Sequence, residues 1–120
     1  MYLRLTREKT PVFTTAETPF VPGVMNVLWE SRKPDVCIVG CGSLLYQALL
    51  AAKELERNKI STVVLNCHTV KPFDERTMLK FARLCGAVVT VEEHQISGGL
   101  GGAVAEFLAQ HFPVPMAFVG

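Results

Sequence analysis

Glu92, Glu93 and His94 stand side by side in the sequence. The combination suits acid–base or metal chemistry, because an imidazole exchanges its proton near neutral pH and carboxylates can steer that exchange. In an extended segment neighbouring side chains point to opposite faces, so at most two of the three can converge. His68 and His111 lie in other elements and supply no second ligand set, so a hydrogen-bonded interface role is favoured over catalysis. Gly98-Gly99-Leu100-Gly101-Gly102 follows directly. Small residues at a helix N-terminus let backbone N–H groups approach a phosphate. The loop holds no lysine or arginine, however, and close packing of the helix is the favoured reading. Gly40-Cys41-Gly42 resembles the start of a dinucleotide fingerprint, but Leu45 stands where the third glycine belongs and no acidic residue closes the next strand, so the run reads as a tight strand-to-helix turn.

The four cysteines, Cys37, Cys41, Cys67 and Cys85, sit in apolar segments and form no C-x-x-C pair. They read as buried, reduced core residues of a reducing compartment rather than as a zinc knuckle or redox dithiol. Twelve basic and eleven acidic residues leave a net charge of +1, with no basic run to mark a nucleic-acid surface. No apolar run approaches the ~20 residues of a membrane helix, and residues 1–9 are too charged for a secretory signal. The expected setting is cytoplasmic, with neither nucleic acid nor membrane as partner.

The elements that must hold these residues follow a regular order. Val36 to Val39 is a short apolar run closed by glycine, as a strand covered on both faces reads. A helix is expected from Ser43, its N-cap, with Leu45, Ala48, Leu49, Ala52 and Leu55 turned inward. Ile60 to Leu65 predicts the next strand. Asp74 then caps a helix in which Met78, Leu79, Ala82 and Leu84 make apolar contacts. Ala87 to Val91 is the third strand, the glycine run opens a helix carrying Val104, Phe107 and Leu108, and Met116 to Val119 is the last strand. Such a βαβ series requires parallel strands with helices on both faces. Ligands and interfaces then gather at the carboxyl ends of the strands, in the loops Gly40–Gly42, Asn66–Thr69 and Glu92–Gly102.

Upstream, residues 8–24 carry Pro11, Pro19, Pro22 and Gly23 and read as a linker. Tyr2 to Arg7 alternates like one strand with no partner nearby, as the end of a preceding domain would. Gly120 follows directly on the last strand, where a closing helix is expected; both ends suggest one part of a larger enzyme.

Val36-Cys37-Ile38-Val39-Gly40-Cys41-Gly42, then His68-Thr69-Val70-Lys71-Pro72-Phe73-Asp74, then Val89-Thr90-Val91-Glu92-Glu93-His94 and Gly98-Gly99-Leu100-Gly101 together resemble the C-terminal domain of transketolase-type thiamine diphosphate enzymes. The resemblance covers nearly the whole chain. It implies a three-layer α/β/α fold with a five-stranded mixed, mostly parallel sheet, the strand at Met25 to Glu30 being antiparallel. It also implies boundaries: residues 1–7 as the end of a pyrimidine-binding domain, 8–24 as the interdomain linker and 25–120 as the C-terminal domain without its final segment. In this family thiamine diphosphate and magnesium bind between two other domains, so the fragment is expected to bind neither and to be inactive alone. Its partners would be the pyrimidine- and diphosphate-binding domains or subunit, in a homodimer or heterotetramer. His68, Glu92, Glu93, His94, Gly98, Gly99 and Gly101 are the expected interface residues. Leu3-Arg4-Leu5-Thr6-Arg7 is similar to the last strand of the family's pyrimidine-binding domain, where an arginine holds a sugar phosphate, and Arg7 matches it best.

The leading expectation is the C-terminal domain of a transketolase that moves a two-carbon ketol unit between sugar phosphates. Deoxyxylulose phosphate synthase and the β subunit of a 2-oxoacid dehydrogenase share this domain, and His94 and Arg7 favour transketolase over both. A third reading is a stand-alone module that binds a nucleotide or a partner protein through Gly98 to Gly102.

Overall fold

The computed structural model describes residues 1–7 and 9–120. Five strands, β1 (Asn26–Glu30), β2 (Val36–Gly40), β3 (Thr62–Asn66), β4 (Val88–Val91) and β5 (Met116–Val119), alternate with three helices, α1 (Leu45–Arg57), α2 (Glu75–Cys85) and α3 (Leu100–His111). The sheet runs β1-β3-β2-β4-β5. β1 pairs antiparallel with β3, Asn26 opposite Asn66, and every other pairing is parallel. The architecture is the expected α/β fold with a five-stranded mixed sheet, and β1 is the odd strand.

Alternation along the central strands decides which helix covers which face. Ile38 and Val64 point to α1 and pack with Leu45, Ala48 and Ala52. Cys37, Val39, Val63 and Leu65 point the other way and meet α2 and α3 through Met78, Phe81, Val104 and Leu108. Both faces of β2 and β3 are therefore buried, which is why their sequences read as continuous apolar runs.

Local chemistry moves several expected boundaries. The chain leaves β2 through Gly42 at φ +72° and a single 3-10 turn, so α1 begins at Leu45, and Ser43 is not its cap. After α1 the N–H of Ile60 donates back to the Leu55 carbonyl at 2.9 Å, which holds Ile60 in the turn and delays β3 to Thr62. Asp74 does cap α2, its Oδ1 accepting from the Thr77 N–H at 3.0 Å. Its Oδ2 accepts from the Met25 N–H at 2.8 Å, tying the end of residues 9–24 to α2. In α2 the inward positions are Met78, Phe81 and Ala82, spaced i, i+3, i+4, whereas Leu84 turns outward and is exposed. Residues 2–6 take no regular structure and Arg7 lies in a bend, so the alternating stretch forms no strand here. Among the described residues no helix is long and apolar enough to cross a membrane.

Candidate functional site

The chain passes from β2 through α1 to β3 on one side, then returns through α2 to β4 on the other. The loops after β2 and β4 thus diverge and leave a crevice between their carboxyl ends, the place where open α/β sheets bind ligands. A groove of about 520 Å³ lies there, its walls including Cys41, Ser43, Glu92, Glu93, His94 and Gly99.

Strand parity sorts the acidic pair. Val88, Thr90 and Glu92 share the face under α3, while Glu93 falls on the α1 face. Glu92, only 3% exposed, grips the start of α3 with both carboxylate oxygens: Leu100 N–H donates to Oε2 and Gly101 N–H to Oε1, each at 2.7 Å. The glycine spacing follows from this contact. A Cβ at Gly99 would strike the Glu92 carboxyl, and one at Gly101 would lie 2.8 Å from the Phe118 ring and 2.9 Å from Thr90 Oγ1. The anion at this helix N-terminus is thus the chain's own carboxylate, which a helix dipole and two unpaired N–H groups favour.

Glu93 turns to the other side, where its Oε2 accepts from the Ser43 hydroxyl at 2.5 Å. The Gln95 carbonyl accepts from His94 Nδ1 at 3.0 Å. The three neighbours therefore take three different partners, and among the described residues no group of three or more His, Cys, Asp or Glu converges as a metal site.

His68 does not line the groove itself but borders a neighbouring cavity of about 440 Å³ whose walls include Cys41, Gly42 and Ser43. Its Nδ1 sits 2.9 Å from Thr69 Oγ1, its ring packs on Phe20 with centroids 4.6 Å apart, and its buried Nε2 finds no hydrogen-bond partner among the described residues. With Asn66 and Thr14 it borders a cavity of about 210 Å³. Arg7 shares a cavity of about 780 Å³ with Arg4, Leu5, Thr6, Glu93 and His94. The structure thus brings Glu92, Glu93, His94, Gly98 and Gly99 to one groove, puts Arg7 and His68 in cavities beside it, and leaves His111 elsewhere. His111 stacks on Phe107 with centroids 4.4 Å apart.

Sequence reasoning makes Ser43 a cap and misses it as the partner of Glu93. The signal available is the period of two, which places Glu93 on the α1 face where the first hydroxyl after β2 stands. Burial pushes the Cys67 thiol up to about 12, helped by Cys41 and Asp74, and the Cys85 thiol up to about 11, helped by Asp35 and Glu30. Burial and then the Glu92 charge also raise Cys41. Such thiols are weak nucleophiles.

The family model described as the C-terminal domain of transketolase matches residues 25–119. A 6-deoxy-6-sulfo-D-fructose transketolase subunit, SqwH, of Clostridium sp. (strain MSTE9) is 43% identical over 100% of this chain and 37% of its own length. An apulose-4-phosphate transketolase subunit of Actinobacillus succinogenes is 34% identical over 92% of this chain and 35% of its own length. Among solved structures, a split gene transketolase described as an inactive beta4 tetramer superposes with a TM-score of 0.89 at 43% identity, over 95% of this chain and 37% of that one. The chain therefore spans little more than a third of these relatives.

Proposed function

The chain belongs to the transketolase C-terminal domain family, and from that premise we propose that it is the C-terminal structural and interface domain of a transketolase that transfers a two-carbon ketol unit between sugar phosphates. The observation that carries this reading is the 43% identity to a transketolase subunit over the whole of this chain, residues 1–24 included. Two relatives whose names call them subunits, and a third described as a split gene product, support a partner that is a separate polypeptide.

The residues present do not fit thiamine diphosphate. The glycine-rich N-terminus of α3, where a diphosphate could be cradled, already holds the Glu92 carboxylate, and a second anion would meet that charge at close range. No step of the reaction is assigned to these residues. Under this reading thiamine diphosphate and magnesium are held by the pyrimidine- and diphosphate-binding domains or subunit, and the chain supplies the packing surface that completes the enzyme. Arg7 is its contribution to substrate, gripping the phosphate with a bidentate guanidinium.

Calorimetric titration of the chain with thiamine diphosphate and magnesium tests the division of labour. No binding heat is expected from the chain alone, and saturable binding is expected once the partner is added. Tight binding by the chain alone would overturn the reading.

A further inference from the structure

Cys41 and Cys67 are far apart in sequence and form no C-x-x-C pair, but the sheet makes them neighbours. Gly40 is the register partner of Asn66, and the Cys67 N–H donates to the Gly40 carbonyl at 2.8 Å. Each cysteine is thus the first residue past its strand. Cys41 keeps extended backbone angles, φ −138° and ψ 152°, and its N–H still donates to the Val91 carbonyl at 3.2 Å, so strand parity carries through it. Both side chains lie on the face under α2 and α3, Cys67 fully buried in that core and Cys41 packed against it. Adjacent strands run about 4.8 Å apart, inside the roughly 4.4–6.8 Å between Cα atoms that a disulfide spans. The two thiols differ in access. Half-buried Cys41 lines both the crevice groove and the cavity of about 440 Å³ beside it, whereas Cys67 lines neither and donates its S–H to the Thr69 carbonyl at 3.3 Å.

An accessible thiol backed by a buried one is the arrangement of an oxidisable cysteine and its resolving partner. We propose that Cys41 and Cys67 are a reversible redox pair, Cys41 reacting with a small peroxide in the crevice and Cys67 closing a disulfide between the ends of β2 and β3. The Cys41 thiolate attacks one oxygen of hydrogen peroxide and the O–O bond breaks. Hydroxide leaves, takes up the proton lost by the thiol and becomes water, while Cys41 becomes a sulfenic acid. Cys67 Sγ then attacks Cys41 Sγ, the S–O bond breaks, and the hydroxyl leaves with the Cys67 proton as a second water. Two thiols lose two electrons and one peroxide gains them. Burial raises both thiols, and the charges of Glu92 near Cys41 and of Asp74 near Cys67 add to it, so the reaction is slow at neutral pH and quickens as pH rises. The pair therefore responds to sustained oxidant, whatever reaction the assembled enzyme performs. Cys37 and Cys85 make a poorer couple, because Cys37 is fully buried within β2 and Cys85 approaches it from the helix layer, at the end of α2.

The test is hydrogen peroxide added to the folded full chain at about pH 8, then blocking of free thiols, trypsin digestion and fragmentation mass spectrometry. Trypsin leaves Cys41 on residues 33–53 and Cys67 on residues 60–76. The expected product is a cross-link of those two peptides, lighter than their sum by two hydrogens and assigned by fragmentation to Cys41 rather than Cys37. Dithiothreitol should reverse it. Cys85→Ser should leave the yield unchanged, and Cys41→Ser, at a half-buried position, should abolish the link. The same peroxide applied to the chain unfolded in urea should give mixed links among all four cysteines. Mapping of the wild-type product needs no variant and decides the matter by itself. No link at any pH up to about 9, a native mixture equal to the unfolded one, or a bond between Cys37 and Cys85 in its place would overturn the inference. So would Cys41 carried on to sulfinic acid while Cys67 stays a free thiol.

Discussion

Replacing Glu92 by Gln should be far more damaging than the same change at its neighbour Glu93. Glu92 is 3% exposed and accepts two N–H bonds at 2.7 Å from the first turn of α3. A hydrogen bond to a charged group contributes about 1.5–3 kcal/mol, and a buried donor left without a partner costs about 1–3 kcal/mol. The Gln side chain keeps one oxygen for one amide, as a neutral bond, and turns an NH2 group toward the other. The loss works out at roughly 3 kcal/mol. For a chain of this size each kcal/mol shifts the midpoint by about 4 °C, so Tm should fall by roughly 12 °C. Scanning calorimetry of the chain measures this directly, and hydrogen exchange should show the lost protection concentrated at the start of α3. Glu93→Gln is the control, because its exposed site should leave stability within about 0.5 kcal/mol. A Glu92→Gln loss below about 1 kcal/mol, or one equal to that of the control, would show that the carboxylate does not hold α3 in place.

Gly101→Ala and Gly102→Ala, adjacent in α3, should have opposite signs. The first places a methyl group 2.8 Å from the Phe118 ring and should cost about 1–3 kcal/mol. The second meets nothing within 4 Å and should gain about 0.5–1 kcal/mol from helix propensity, both read by urea denaturation. Burial alone would raise the Asp74 carboxyl, but hydrogen bonds from Thr77 and Met25 and the Arg76 charge together hold it below its ordinary value. Its contribution is then present above the unfolded pKa of about 3.9 and lost as pH falls through the lower folded value. The stability gap between the wild type and Asp74→Ala should therefore narrow below about pH 4, and a gap constant from about pH 7 to about pH 2 would contradict it. The raised thiols of buried Cys67 and half-buried Cys85 should resist alkylation by iodoacetamide at about pH 8 in the native chain, and rapid stoichiometric labelling of both there would contradict the upward shift.

The fold was legible because its strands are continuous apolar runs separated by amphipathic helices, a pattern that few topologies satisfy. What failed were local preferences overridden by backbone bonding, as where α1 takes back the Ile60 N–H, and by side chains with a better partner, as where Ser43 turns to Glu93. Leu84 and Phe81 differ by three residues, and a small error in helical phase exchanged the exposed one for the buried one. The site was half legible. Opposite facing of Glu92 and Glu93 follows from the period of a strand, and the packing role of the glycine run was anticipated. That a buried carboxylate would fill the helix N-terminus was not, because the residues between Glu92 and Leu100 say nothing by themselves about the loop that returns one to the other. The cavity that Arg7 shares with Glu93 and His94 joins segments far apart in sequence, which periodicity cannot reveal.

The central claim, that this chain is the interface domain of a ketol-transferring enzyme, is tested most directly by one assay on two preparations. Ketol transfer from xylulose 5-phosphate to an aldose phosphate should be absent for the chain alone and present once the pyrimidine- and diphosphate-binding partner is supplied, with pyruvate not consumed. Transfer by the chain alone, or pyruvate consumption without ketol transfer by the assembled enzyme, would contradict it.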